Sequence, residues 1–215
     1  YWTRSGSVWT RQSSLNIPSA TKQDIKFGLA VAISGDGSRA IVGAPGMDQI
    51  YIYSLNTTSG SLEKQHTTNS PWQFGIAVDI NYDGSIAVAG APASFTNSGM
   101  IITFKRTGTT WTESGSFRPA NLVNNDNFGS SVSLSSDGTM LAVSALWASR
   151  QSLSQCGSVY LFQYNAGSNS WNLITEYQAS DVASGSYYSR SARLSADKSR
   201  LIAGNEIRNK CYIYK

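Results

Sequence analysis

The chain has few charged side chains and no long apolar segment. Charged residues make up 14% of its 215 residues, and the 17 basic and 13 acidic ones (net charge +4) are scattered along the sequence. A surface that binds nucleic acid usually carries clustered Lys and Arg, so the sequence disfavours that partner. No apolar run approaches the roughly 18 residues that suggest a transmembrane helix, so we expect no membrane insertion.

Residues with metal or redox chemistry are also scarce. The single histidine, His66, excludes a zinc site made of several histidines, and its polar neighbours suggest a solvated position on an edge strand. Cys156 and Cys211 cannot form a disulfide framework, and both a bridge between them and two inert thiols remain open. No nucleophile elbow or phosphate-binding loop is present, so we predict that the chain is not an enzyme.

The chain has no initiator Met and no signal-like N-terminal segment, so we expect a mature, processed or excised chain. Ser, Thr, Gly and Asn are abundant instead. This composition suits an extracellular or particle-surface protein rich in β-structure.

A spaced pattern recurs four times along the chain. An aromatic residue, usually followed by Gly, precedes an Asp by nine residues, and a small-residue segment starts seven residues after that Asp. The copies are Phe27-Gly28, Asp36-Gly37, Gly43-Ala44-Pro45; Phe74-Gly75, Asp83-Gly84, Gly90-Ala91-Pro92; Phe128-Gly129, Asp137-Gly138, Ser144-Ala145-Leu146; and Tyr188-Ser189, Asp197-Lys198, Gly204-Asn205-Glu206. Constant spacing inside copies of about 50 residues predicts a repeat array in which no copy buries its apolar face alone.

Each copy predicts four antiparallel strands. The first alternates apolar and other residues, as in Phe27, Leu29, Val31 and Ile33, and a period of two indicates a strand. Asp-Gly then predicts a hairpin whose two turn residues reach positive φ. The next strand is apolar on both faces, a third ends in aromatic residues, and a fourth opens with Trp111 or Trp171. We therefore predict an all-β fold, a β-propeller with four-stranded blades.

The two ends of the chain match neighbouring parts of one repeat. Residues 1–10 align with residues 103–112, including Trp9 with Trp111, and the C-terminus stops near the point where this match begins. We predict a single domain over residues 1–215, with blades starting near residues 27, 74, 128 and 188. Residues 1–26 would complete the fourth blade and close the ring. Four blades of a longer ring, or a half-ring that pairs with another chain, give the same arithmetic.

These copies resemble the FG-GAP repeat, the blade unit of the integrin α-chain propeller. The resemblance covers nearly the whole chain, although the third copy lacks the Pro and the fourth keeps mainly the spacing. It implies adhesion or ligand recognition, and some members of the family are lectins or scaffolds. In integrin-type repeats the turn often binds calcium. Only the second copy resembles that pattern, with Asp79, Asn81 and Asp83, but Ala87 replaces the later acid, so calcium or a plain turn is expected there.

The loops that follow the small-residue segments are the expected binding region. The longest, residues 147–155, contains Trp147 and Arg150, residue types that often dominate binding energy; Trp147 can also serve as a lid over the blade. Trp72 has no counterpart in the other copies and is a third candidate. Asn56-Thr57-Thr58 is a glycosylation sequon. We expect a non-enzymatic module for protein interaction or adhesion, with a glycan ligand, a blade set of a larger assembly and self-assembly as alternatives.

Overall fold

The computed structural model describes residues 1–12, 14–15, 25–55, 59–68, 72–150 and 152–215, and its regular structure is almost entirely β-strand. An N-terminal hairpin is followed by three four-stranded antiparallel sheets and one three-stranded sheet. The strands are β1 Trp2–Ser5 and β2 Val8–Arg11; β3 Ala30–Ile33, β4 Arg39–Ala44, β5 Gln49–Leu55 and β6 Gly60–Thr67; β7 Val78–Ile80, β8 Ile86–Ala91, β9 Met100–Thr107 and β10 Thr110–Phe117; β11 Phe128–Leu134, β12 Met140–Ala145, β13 Ser158–Asn165 and β14 Ser170–Tyr177; β15 Tyr188–Leu194, β16 Leu201–Asn205 and β17 Lys210–Tyr214.

The four sheets are the blades of a β-propeller, as the repeat predicts. Their innermost strands β3, β7, β11 and β15 follow one another around a channel of about 340 Å³. Apolar clusters fill the space between consecutive blades, and each contains residues of both neighbours. In the described part of the chain, no helix has the length and apolarity that a membrane span requires.

The turns between the first two strands of each blade are held by an aspartate. In the first turn the Asp36 carboxylate accepts hydrogen bonds from the Ser34 hydroxyl at 2.6 Å and from the Ser38 amide at 2.9 Å. Asp137 and Asp197 do the same in the third and fourth turns. The prediction that both Asp and Gly take positive φ is wrong, because the loop has four residues and only its third, such as Gly37 (φ 71°), is left-handed.

Backbone hydrogen bonds also connect these turns from blade to blade. The Asp36 amide donates to the Tyr82 carbonyl at 2.9 Å, and the Tyr82 amide donates to the Ser136 carbonyl at 2.9 Å. The Ser136 amide donates in turn to the Ala196 carbonyl at 3.4 Å. The four turns therefore form one continuous face, which we call the turn face.

The N-terminal hairpin does not complete the fourth blade, contrary to the prediction. Within the described residues, β1 and β2 pair only with each other, and β17 is the edge of a three-stranded sheet. Leu15, which follows the hairpin, packs against the aromatic cluster of Tyr51 and Tyr53 on the first blade.

Two smaller predictions are corrected in the same region. Trp111 is buried and Trp171 packs against the core between blades, but Trp9, on the N-terminal hairpin, is exposed. Cys156 is buried, Cys211 is exposed and both thiols are free, so the possible bridge between them is excluded. The sequon at residues 56–58 lies outside the described residues.

Candidate functional site

Opposite the turn face, the loops after the second strands of the blades surround a pocket of about 480 Å³; we call this side the loop face. The pocket receives side chains from three blades and is mixed in polarity. Its lining includes Gln73, Ile76, Pro92, Asn97, Asn127, Ser130, Leu146, Trp147 and Arg190. Trp147 lines the pocket and is 40% exposed, and its role in binding a ligand stays a prediction.

An aromatic stack borders this pocket. The ring of Trp72 stacks on Phe95, with ring centroids 6.1 Å apart, and the Arg118 guanidinium lies 4.7 Å from the Phe95 centroid. Phe95 belongs to a short turn, Ser94–Asn97, and remains exposed. Trp72 is partly buried against the core between the first two blades. The structure therefore places both predicted tryptophans at this face and adds Phe95, which sequence reasoning missed.

The turn that carries Phe95 is strained and firmly held. Phe95, Thr96 and Asn97 all take left-handed φ values of 48°, 58° and 61°, which cost free energy for residues other than glycine. The amides of Asn125 and Asn127, from the next blade's loop, donate to the Thr96 and Asn97 carbonyls at 3.2 and 2.8 Å. These bonds fix the unusual backbone and hence the position of the Phe95 ring.

Arg150, the third predicted ligand residue, has most of its donors engaged within the protein. Its guanidinium donates to Asp126 Oδ2 at 2.9 Å, to Glu176 Oε1 at 2.8 Å and to the Tyr160 hydroxyl. Burial lowers the pKa of Arg150. The hydrogen bonds to Asp126 and Tyr160 and the nearby Glu176 charge raise it by more than burial lowers it, so its pKa is higher than usual. In this arrangement Arg150 shapes the loop that presents Trp147.

Asp126 organises that loop and was not identified from the sequence. It is fully buried, and its two carboxylate oxygens accept the amides of Val123 at 3.0 Å and Ser149 at 3.3 Å in addition to the Arg150 guanidinium. Its carbonyl accepts the amide of Trp147. The third copy of the repeat has an acid two residues before its aromatic residue Phe128, and no other copy does. This difference in the sequence could have identified Asp126.

The predicted calcium ligands lie at the second turn of the turn face. Asp79 accepts the amides of Ile80 at 2.9 Å and Leu134 at 2.8 Å, and burial raises its pKa. Asp83 accepts the Ser85 hydroxyl and amide, which lower its pKa. The side-chain oxygen of Asn81 is likewise bonded to backbone amides. Among the described residues no group of three His, Cys, Asp or Glu side chains could hold a metal, and the calcium site stays a prediction.

His66 is not the solvated residue that the sequence suggested. Its ring lies edge-on to Phe74 and Phe104, at centroid distances of 5.6 and 5.0 Å, and burial lowers its pKa. Glu113 is the nearest acid, 3.5 Å from Nε2. His66 therefore packs between the first two blades, on elements separate from the loop-face pocket.

Comparison with solved structures shows the fold. A protein named "putative 6-phosphogluconolactonase" from Bacteroides uniformis ATCC 8492 is 15% identical with a TM-score of 0.65, over 97% of this chain and 55% of that one. The β-propeller domain of Cps50 (Swd1) from Myceliophteria thermophila is 11% identical with a TM-score of 0.58, over 86% and 52%. The chain thus spans about half the length of these structures.

Comparison with sequences identifies the repeat. No curated protein matches the chain. The model of the FG-GAP repeat matches residues 111–162, which run from the outer strand of the second blade to the third strand of the third. This segment includes the third copy of the pattern, although that copy lacks the Pro. The chain is thus a four-blade β-propeller, and its residues 111–162 match the FG-GAP repeat.

Proposed function

We propose that the chain is a non-enzymatic recognition module, at a cell or particle surface outside the cytosol, that binds a protein ligand through the loop face. The observation that carries this proposal is the left-handed turn that holds Phe95 exposed on Trp72. Three consecutive left-handed residues cost on the order of 1 kcal/mol each. Because the Phe95 ring is exposed, its packing offsets little of this cost in the free energy of folding. Strained backbone segments are concentrated at binding sites.

The chemistry of the loop face favours a protein ligand. Phe95 and Trp147 are exposed aromatic residues, and aromatic anchors dominate the binding energy of protein interfaces. The loops of the four blades also differ, whereas a lectin built from repeated sites needs similar pockets in each blade. A glycan is the alternative, because Asn97 and Asn127 supply amides to the pocket beside an indole that can stack on a sugar.

The likeness to proteins named as lactonases supports the fold and no activity, because the identity is 15%. In this chain the aspartates that recur in the repeat are engaged in the turns. Asp36, Asp137 and Asp197 each bind a side-chain hydroxyl and a backbone amide of their own turn. We therefore propose a binding role for the module.

The test is selection of ligands on the immobilised chain from a random peptide library, alongside an array of oligosaccharides. Binding of the selected peptides should weaken by about 2 kcal/mol, or roughly 30-fold in Kd, in Phe95→Ala and in Trp147→Ala. Tyr82→Ala, which removes an exposed aromatic ring from the turn face, is the matched control and should bind normally. Peptides that bind all three variants equally would overturn the proposal, and selection of sugars alone would favour the glycan.

A further inference from the structure

The junction between the first and second blades is filled by an ion pair at its outer edge. Trp111 of β10 is 3% exposed, and its indole Nε1 donates to Glu63 Oε2 at 2.9 Å. Arg39 Nε donates to the same oxygen at 3.0 Å. Both side chains of this ion pair are largely buried. The first junction therefore satisfies the indole N–H with a carboxylate and leaves no space beside the ring.

The junction between the second and third blades lacks this ion pair. The strand register and the repeat spacing give the counterparts of the three residues: Trp171 for Trp111, Ser114 for Glu63 and Ile86 for Arg39. A hydroxyl and an aliphatic side chain thus stand in place of two opposite charges. In the described part of the chain, no acceptor bonds to the indole N–H of Trp171. The second junction therefore keeps the donor of the first and lacks its carboxylate.

A pocket of about 130 Å³ opens at this place. Three of its lining residues are aromatic: Trp171 stacks on Phe117 with ring centroids 6.1 Å apart, and the Tyr164 centroid lies 5.4 Å from that of Trp171. The other lining residues are small or polar, namely Thr103, Ser114, Gly115, Ser116, Asn169 and Ser170. Both blades that form the pocket have all four strands. The pocket thus combines aromatic rings with hydroxyl and amide groups.

Thr103 brings a hydroxyl to the buried side of this pocket. It is 4% exposed and stands in the register of Ile52, which is buried among apolar residues in the first junction. The Thr103 hydroxyl shares a hydrogen bond with that of Ser114 at 2.9 Å and donates to the Gly115 carbonyl at 3.0 Å. A hydroxyl at a position that is apolar in the first junction favours a polar occupant.

Lys105 places a positive charge beside the pocket. Its Nζ donates to the Tyr164 hydroxyl and to Asn169 Oδ1, the latter at 3.4 Å, and both of these residues line the pocket. No acidic residue is among the lining residues, and Lys105 forms no ion pair within the described residues. An acidic ligand in this pocket would therefore gain a charge-assisted hydrogen bond without meeting a like charge.

We propose that this pocket binds a sugar acid, a single hexuronic acid unit whose carboxylate takes the place that Glu63 fills at the first junction. The Trp171 indole and the Lys105 ammonium would donate to the carboxylate. The hydroxyls of Thr103 and Ser114 would bond to the ring hydroxyls of the sugar, and the aromatic side chains would pack on its C–H groups.

The size of the pocket limits the occupant to one ring, because its volume is well below the roughly 300–1,000 Å³ of pockets for drug-sized ligands. This pocket shares no lining residue with the pocket of the loop face. The proposal is therefore independent of the ligand proposed for that face.

The first test follows the indole N–H signals of the six tryptophans in ¹H–¹⁵N spectra of the whole chain while glucuronate is added. The signal that disappears in Trp171→Phe belongs to Trp171. We expect it to shift with a Kd on the order of 1 mM, because one small ring buries little surface. The other five signals should stay in place. The same shift with the methyl glycoside would assign the end of a glycan, whereas a shift with free glucuronate alone would assign a soluble sugar acid.

Two further ligands test the two parts of the sugar acid. Glucose lacks the carboxylate and acetate lacks the ring, so each should bind at least about tenfold more weakly than glucuronate. Equal binding of either one would overturn the proposal. A Trp171 signal that stays in place at roughly a hundred times the expected Kd would overturn it as well. So would a shift confined to other indole signals, since Trp72 and Trp147 lie at the loop face.

Two substitutions test the residues of the pocket. Lys105→Gln should weaken glucuronate about tenfold and leave glucose unchanged, whereas Lys64→Gln on β6 removes the same charge from another blade and should change neither. Ser114→Glu restores the acid of the first junction, so it should abolish glucuronate binding. Ser61→Glu, at an exposed position on β6, is its matched control and should bind normally. Glucuronate binding that survives either pocket substitution in a folded variant would overturn the proposal.

Discussion

The turn face and the loop face are built by the same four blades in opposite ways. On the turn face, Asp36, Asp137 and Asp197 make the same pair of contacts with a serine or threonine hydroxyl and an amide. On the loop face the side-chain contacts differ between the described loops, as those of Asp126 with Arg150 and of Phe95 with Trp72 do. The backbone bonds that hold the Phe95 loop nevertheless recur in the next one, where the Gly185 and Tyr187 amides donate to the Ser154 and Gln155 carbonyls. One face repeats what every blade needs to fold, and the other carries what distinguishes this chain from any array of identical blades.

The two faces should therefore respond differently to substitution. Each aspartate of the turn face stabilises a local, solvent-facing loop, so its loss should cost little. Asp126 joins two loops in a buried network, so its loss removes one of the two acids paired with Arg150 and the acceptor of two backbone amides. The following predictions test this contrast, beginning with the largest effect.

Asp126→Ala should lower the free energy of unfolding by about 3–5 kcal/mol, because the buried carboxylate pairs with Arg150 and also accepts the Val123 and Ser149 amides. Urea unfolding followed by tryptophan fluorescence measures the loss. The double variant Asp126→Ala/Arg150→Met should recover only part of it, since Glu176 loses its Arg150 partner and the Val123 and Ser149 amides stay without the Asp126 acceptor. A loss below about 1 kcal/mol in the single variant would show that the ion pair does not anchor this loop.

Asp137→Ala should cost only about 1 kcal/mol at pH 7, the value of a capping hydrogen bond. Burial raises the pKa of Asp137, but the Lys198, Ser135 and Thr139 hydrogen bonds lower it more, so the folded pKa is depressed. The stabilisation is therefore full above the unfolded pKa of about 4 and is lost as pH falls through the folded pKa. Unfolding at pH 7 and at pH 2 should show the difference between variant and wild type shrinking in acid. A constant difference would contradict this assignment.

Calcium should distinguish the second turn from the others. If Asp79, Asn81 and Asp83 bind the ion, calcium at ten times its Kd stabilises the fold by about 1.4 kcal/mol. Asp83→Asn should remove the rise in melting temperature between EDTA and calcium, whereas Asp137→Asn should keep it. An equal response of both variants would exclude the second turn.

The repeat made the blades predictable. Phe74, Val78 and Ile80 alternate, and the structure buries them on one face of an innermost strand, because burial on one side imposes a period of two. The turns were predicted in place but not in conformation, since Asp36 acts through its side chain rather than through positive φ. Local patterns therefore predicted which residues form each element, while the number of residues in each turn determined the backbone conformation of that turn.

The loop face was predicted only in part. Trp72 and Trp147 stood out because their copies differ from the others, and both lie at this face. Phe95 did not stand out, because its exposure depends on a left-handed turn held by the next blade. Arg150 was placed in the right loop, but its partner Glu176 is 26 residues away and comes near only through the packing of the third blade. Contacts between distant segments leave no periodic signal in a single sequence.

The backbone hydrogen bonds between the turns have a consequence for local motion. The amides of Tyr82 and Ser136 each donate to a carbonyl of the following blade, so each is shielded from solvent only while those two blades stay together. Opening of one junction exposes its own amide and leaves the other protected. The hydrogen-exchange rates of these two amides would therefore report the opening of two blade junctions separately, and their ratio would rank the junctions by free energy of local opening.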